Sequence, residues 1–183
     1  AAVQAPPAPA RAAPAAAPTE LDSLLVIAGA RIARGQLLDP AGDSAFEYVR
    51  RATDVSASDP RVVRERASLA GALVEAARAA TDKGSVDEGR RFAAAAKGLG
   101  APAEALTVVE LGLAAADQAA ADQRHAEWLA LARSRLAAAS LLEPAGDSAL
   151  DYLRRLQAEV PGAAGVGETW DGWLAALAAR ARQ

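Results

Sequence analysis

The sequence predicts an all-α protein of stacked antiparallel helix hairpins carrying an internal duplication, and three observations predict it. Apolar residues make up 52% of the 183-residue chain while aromatics make up only 4%, so alanine supplies most of the apolar surface. Alanine has the best helix propensity because it loses no side-chain entropy on folding, and its small side chain lets helix axes approach closely. β-Branched residues are sparse and scattered, so no segment reads as a strand. The third observation is a repeated phrase: LLDPAGDSAFEYVRR at 37–51 returns as LLEPAGDSALDYLRR at 141–155, an offset of 104 residues from Pro40 to Pro144.

Residues 1–18, AAVQAPPAPARAAPAAAP, are Ala/Pro-rich and aperiodic. Proline removes backbone donors and pushes its neighbours towards extended conformations, so this segment is expected to be a disordered, semi-stiff tether, with a plain unstructured terminus as the equal alternative. Helical punctuation begins at Thr19: Leu21, Leu24, Leu25, Ala28 and Ile32 form one apolar stripe, which Gly35 closes. A second helix opens at Ser44, where Glu47 three residues on makes a capping-box pattern and Asp43 is the competing cap. Ala45, Tyr48, Val49 and Ala52 form its stripe.

Asp59-Pro60 is a cap followed by proline at the first helical position, opening a helix that stops near Lys83-Gly84. Ser85 with Glu88 is a further capping-box pattern, for a helix running to Leu99-Gly100. Pro102 starts another, with Leu106, Val109 and Leu113; no breaker separates it from Trp128, Leu131 and Leu136. The stretch 102–139 reads equally as one long helix or as two joined near Asp117–Asp122. The repeat extends backwards, with LLVIAGARIARGQLL echoed by WLALARSRLAAASLL, and more weakly forwards, with WDGWLAALAARAR set against the helix at 60–80. Such a duplication implies hairpins that bury their apolar faces on one another. The expected organisation is a helical-repeat domain over 19–183, with units of about 19–100 and 123–183 and a linking helix over about 102–120. The last helix, with Trp170 and Trp173, is expected to cap the stack.

The charge balance argues against nucleic acid as a partner. Net charge is −3 with acids and bases interspersed, whereas a nucleic-acid surface needs a clustered basic stripe. There is no cysteine for a disulfide or a thiolate metal site, a composition that suits an oxidising compartment. No apolar run reaches the length of a membrane span, so no insertion is expected from these residues. The chain begins at Ala1 without methionine and reads as a processed form or as an excised piece of a longer chain.

Candidate chemistry is thin. His125 is the single histidine, between Arg124 and Glu127 on a polar stretch; it lacks companions for a metal site and reads as solvent-exposed. The two Gly-Asp-Ser phrases match neither a nucleophile elbow nor a phosphate loop. Each precedes a helix, so Asp43, Ser44, Asp147 and Ser148 read as caps, while Gly42 and Gly146 relax the turn after proline. No catalytic, cofactor or metal residue is therefore expected. Tyr48 and Tyr152 are equivalent, as are the pairs Arg50-Arg51 and Arg154-Arg155. Tyrosine and arginine are enriched at binding hot spots, so Tyr48, Arg51, Tyr152 and Arg155 are candidate partner-binding residues. The structural alternative packs each tyrosine on the preceding helix and leaves each arginine in water. Trp170 and Trp173 share a helix face and are candidates too, against a plain core-filling role.

The phrases KGSVDEGRRFAAAAKGLG and DPRVVRERASLAGALVEAARAA resemble divergent tetratricopeptide (TPR) hairpins, making the expected stack a TPR-like α-solenoid. GQLLDPAGDSAFEYVRRA…DP resembles the TPR-like segments ahead of the carboxy-terminal domain in some TonB-family energy transducers, and extracytoplasmic parts of some bacterial serine/threonine kinases. As pattern the resemblance covers roughly residues 20–160. A TonB carboxy-terminal domain would show β-strands and a YP-type motif; this chain has neither, so transduction is not carried over. The resemblance implies a non-catalytic scaffold or docking module of the bacterial periplasm or cell envelope, with a protein or peptide as partner. A spacer between a membrane anchor and an effector domain is the alternative function, and the cytoplasm the alternative compartment.

Overall fold

A computed structural model describes residues 19–182; the expected tether over 1–18 lies outside them. Among the described residues there are seven helices and no strand: α1 (Glu20–Ala33), α2 (Ala45–Ser56), α3 (Pro60–Asp82), α4 (Val86–Gly98), α5 (Ala103–Ala137), α6 (Ala149–Glu159) and α7 (Val166–Arg180). The protein is all-α, as its composition predicts. No described helix is long and apolar enough to cross a membrane.

Local chemistry sets the helix ends. Thr19 opens α1 with a reciprocal capping box: its hydroxyl accepts the Asp22 N–H at 3.2 Å, and the Asp22 carboxylate accepts the Thr19 N–H at 2.9 Å. At the other end Gly35 donates to Ile32 O at 2.9 Å and Gln36 to Arg31 O at 2.9 Å. This Schellman closure needs a left-handed residue, and Gly35 supplies it at φ 71°. Pro60 is the first residue of α3, and Asp59 accepts the Arg61 N–H at 2.8 Å. The stretch whose sequence allowed one helix or two is a single helix of 35 residues, α5. It takes in all of the expected linking helix after Pro102 and continues unbroken to Ala137.

Two compact units divide the chain, one taking Ala1–Ala80 with Asp87–Val109, the other Thr81–Val86 with Glu110–Gln183. The first is built on Leu21, Ala52 and Val62, with Leu24 and Leu25 packed alongside, and α1 lies against α2. In the second, Ala132, Leu141, Ala149, Tyr152, Leu153 and Trp173 form one cluster, flanked by Trp128, Leu136 and Trp170, and α6 lies against α7. Burying each Leu or Val stabilises by about 1.5–3 kcal/mol, so these few large residues carry most of what an alanine-rich interior cannot. Several pairs of positions 104 apart are buried at both places, among them Ala28 and Ala132, Ala45 and Ala149, Val49 and Leu153, Val62 and Val166, and Leu69 and Trp173; others differ, as Ala70 is buried and Leu174 exposed.

Candidate functional site

The polar residues that the sequence repeats converge on the loops before α2 and α6. Ahead of α2, Ser44 is the N-cap: its buried hydroxyl accepts the Glu47 N–H at 3.4 Å. Asp43 has a different role from the cap the sequence offers as a competitor. One carboxylate oxygen accepts the Tyr48 hydroxyl at 2.8 Å, and the other accepts the Arg31 guanidinium at 2.6 Å from across the loop. The Tyr48 hydrogen bond first, and Arg31 with it, hold the Asp43 carboxyl below its ordinary range, while the hydrogen bond to Asp43 and then burial push the Tyr48 phenol up. The chain is folded over this clasp by Ala45 N–H to Gln36 O at 2.9 Å and Phe46 N–H to Leu37 O at 3.0 Å. Gly42 takes φ 82° at the turn, where a side chain would be strained.

Ahead of α6 the same contacts recur. Tyr152 donates to Asp147 at 2.7 Å, and Arg135 grips that carboxylate with two bonds of 3.0 and 2.6 Å. The Tyr152 bond and Arg135 lower the Asp147 pKa. Ala149 donates to Ser140 O at 3.0 Å, Leu150 to Leu141 O at 3.2 Å, and Gly146 has φ 84°. Both loops contain a cis X-Pro bond, at Asp39-Pro40 and Glu143-Pro144. The capping box expected at Ser44 and Glu47 is only half made, because the Glu47 carboxylate takes Arg50 at 2.8 Å instead of the cap backbone. At α6 the box is complete: Ser148 and Asp151 exchange bonds at 3.2 Å in each direction.

The six candidate partner-binding residues fall into three pairs. Arg51 lies over the Tyr48 ring at 5.5 Å and reaches Gly42 O at 3.5 Å; Arg155 lies over the Tyr152 ring at 5.2 Å and reaches Gly146 O at 3.2 Å. Both arginines are exposed, Tyr48 is half-buried and Tyr152 is buried. Trp170 and Trp173 meet edge to face at 5.5 Å. Trp173 is buried and donates its indole N–H to Leu141 O at 3.0 Å, while the half-buried Trp170 keeps its shielded N–H without a hydrogen bond. Tyr152, Trp170 and Trp173 therefore belong to one cluster on the second unit. These groups can stiffen loops and present a guanidinium over an aromatic face.

His125 departs from its expected exposure. Its side chain is 15% exposed, its Nε2 lies 2.9 Å from a Glu159 carboxylate oxygen, and its ring is 5.9 Å from that of Trp128. It ties α5 to the end of α6. Among the described residues no group of three or more His, Asp or Glu side chains is placed to hold a metal ion.

Sequence reasoning missed a groove along α1 and α3. Asp22, Leu25 and Val26 line one side, and Arg61, Arg64, Glu65 and Ser68 line the other. Arg61 is held by two carboxylates, Asp22 at 2.5 Å and Asp59 at 2.9 Å. With the Thr19 hydrogen bonds first and Arg61 after them, the Asp22 pKa falls to about 2. Glu65 takes no hydrogen bond among the described residues, and burial alone pushes its carboxyl above the ordinary range. Val26 is 72% exposed and Ile27 36%.

Compared with known proteins, the chain matches no family model, no curated protein and no solved structure.

Proposed function

We propose that this chain is a non-catalytic protein–protein interaction module, a TPR-like stack of helix hairpins in which one helical unit has been duplicated, serving as a scaffold in a bacterial envelope protein. The observation that carries the reading is α1. Its sequence, ELDSLLVIAGARIA, is apolar on nearly every face, a pattern that belongs to a helix covered on all sides. Within its unit only one side is covered: Leu21 and Ala28 are buried while Val26 and Ile27 remain in solvent. A partner chain laid on α1 would remove that apolar surface from water, at about 25 cal/mol per Å². The recurrence of the Arg–Asp–Tyr clasp 104 residues apart supports the duplication. Tyr48 and Arg51 on the first unit, and Tyr152, Arg155, Trp170 and Trp173 on the second, are the further partner-binding candidates of this reading.

A photo-crosslinking residue placed at Val26, at Arg51 and at Trp170, in cells producing the full protein, tests this. A discrete crosslinked protein from at least one position is expected. Diffuse labelling from all three, no stronger than from an exposed position such as Lys83, would remove the module reading and leave the spacer.

A further inference from the structure

Corresponding sides of α3 and α7 differ in whether anything covers them. On α3, Ala70, Val74 and Ala77 stand four and three residues apart, so they share one side of the helix, and all three are buried. The positions 104 residues on are Leu174, Ala178 and Ala181, in the last turns of α7 and at its cap. There Leu174 is 53% exposed and both alanines are exposed. The register of the two helices is common, because Val62 and Val166, and Leu69 and Trp173, are buried in both. One side of α7 is therefore left in water where its counterpart on α3 is not. A second uncovered side lies on α1, where Glu20, Ser23, Val26, Ile27, Ala30 and Arg34 are all exposed at helical spacing. Val26 there is 72% exposed.

We infer that the exposed side of α1 docks on the exposed side of α7 in a second copy of this chain, the two helices running antiparallel. The assignment rests on the interaction-module reading and names the partner that α1 takes. Charge sets the direction. Each side has an acid towards its N-terminal end and a base towards its C-terminal end, Glu20 and Arg34 on α1, Asp171 and Arg182 on α7. None of these four side chains has a hydrogen bond or ion pair among the described residues. Antiparallel packing sets Glu20 near Arg182 and Arg34 near Asp171, whereas parallel packing would set acid on acid and base on base. Size agrees with charge. In the same alignment Val26 faces Ala178 and Leu174 faces Ala30, a large residue against a small one each time. Neither side fits itself as well: two copies of α1 would press Ile27 against Ile27, and two copies of α7 would bring mostly alanine together.

Two measurements on the full 183-residue chain test the assignment. The first is molar mass by sedimentation equilibrium. One helix pair buries less than a standard interface of about 1,200 Å² or more, so association is weak and is sought up to about 1 mM chain. Mass is expected to rise with concentration above the single-chain 18.6 kDa. Val26→Glu and Leu174→Glu, both at exposed positions, should each stay single while melting as wild type does. Because the contact joins two different surfaces, an equal mixture of the variants keeps one intact α1 and one intact α7, and should form a dimer and nothing larger. A wild-type chain that stays single at about 1 mM overturns the inference. So does a mixture that fails to dimerise, or association lost in only one of the two variants. The second measurement uses the absence of native cysteine. Val26→Cys chains are mixed with Ala178→Cys chains and oxidised, and mixed disulfide dimers are expected in excess of random pairing. Val26→Cys chains joined chiefly to each other would mean that α1 pairs with α1, which also overturns it. Single chains together with a discrete foreign protein crosslinked at Val26 would refute this inference and leave the module; single chains with no crosslinked protein would refute both.

Discussion

The loops before α2 and α6 are one device executed twice with different materials. In the first, Arg31 divides its guanidinium between Asp43 and Gln36, with bonds of 2.6 Å each. In the second, serine stands where Gln36 was, and Arg135 places both its bonds on Asp147. The first loop is also tied outward by Asp39 to Arg91 of α4 at 3.2 Å. The second gains the complete Ser148–Asp151 box. What both keep is a tyrosine hydroxyl and an arginine on the same aspartate, with an arginine over the tyrosine ring. The comparison teaches that the aspartate, its tyrosine and the two arginines are the fixed part of the device, and that only the ties around them differ.

The largest effect separates the two cores. Leu69 and Trp173 occupy corresponding buried positions, one aliphatic and one aromatic with a hydrogen bond to Leu141 O. Truncation to alanine should cost about 2–5 kcal/mol for Leu69 and about 3–5 kcal/mol for Trp173, read from urea unfolding of each variant. Trp173→Leu, which imitates the first core, should fall between wild type and Trp173→Ala. A Trp173→Ala protein within about 1 kcal/mol of wild type would show that Trp173 is not a core residue, and would return it to the partner-binding face.

The helices, several of their ends and the repeated phrase were legible in the sequence, because each depends on residues three or four apart or on direct repetition. Ser44, Ser148, Gly35 and Pro60 announced their roles this way. The clasp was only half legible. Asp43 and Tyr48 are neighbours in sequence, but Arg31 reaches them from twelve residues away over a loop, a contact that no local pattern reports. The extent of α5 was ambiguous for a related reason: its alanine and polar residues leave no marked apolar stripe, so periodicity could neither join nor divide it. The groove along α1 and α3 was illegible altogether, since Val26 and Glu65 are brought to it from helices far apart in sequence. His125 misled because its sequence neighbours are polar while its partner, Glu159, lies on another helix.

Acid titration should distinguish the two clasps next. Asp43 and Asp147 both have lowered pKa values in the folded state. Each therefore adds stability that is fully present above the unfolded carboxylate value of about 3.9 and is lost as pH falls through the lower folded value. Asp147→Asn and Asp43→Asn should both melt below wild type at neutral pH, with Asp147→Asn the lower because it breaks a two-pronged ion pair. The gap to wild type should close as the pH is taken below the carboxylate range. Asp22, at about 2 in the fold and replaced by alanine at position 126, should add an acid-labile increment in the first unit, lost between about pH 4 and pH 2. A gap that persists unchanged at low pH would show that packing, and not charge, holds the loops.

A smaller effect comes from the helix ends that lead into the loops. Gly35 sits at φ 71°, and Ala139, its counterpart in the second unit, is held at φ 59°. A Cβ at Gly35 would meet nothing within 4 Å, so Gly35→Ala has only a conformational cost, of about 1–2 kcal/mol less the 0.5–1 kcal/mol returned by the stiffer unfolded chain. Ala139→Gly should move stability the other way by a similar small amount. Opposite signs at these two positions would establish that both closures are left-handed; equal signs would break the correspondence at this point.

The smallest effect bears most on function. Arg51 and Arg155 are exposed, each over a tyrosine ring with one bond to a loop carbonyl. Exposed contacts of this kind contribute little, so alanine at either position should shift stability by no more than about 0.5 kcal/mol. If the arginines face a partner, Arg51→Ala should nevertheless lose the crosslink from position 26, and Arg155→Ala the crosslink from position 170, while melting as wild type does. If they only brace the tyrosines, melting and crosslinking should both stay put, and Tyr48→Phe and Tyr152→Phe should prove the costlier changes because each leaves an aspartate with one donor fewer. A substitution that is silent in melting and decisive in crosslinking separates a binding residue from a loop brace, because the bracing role can act only through the fold.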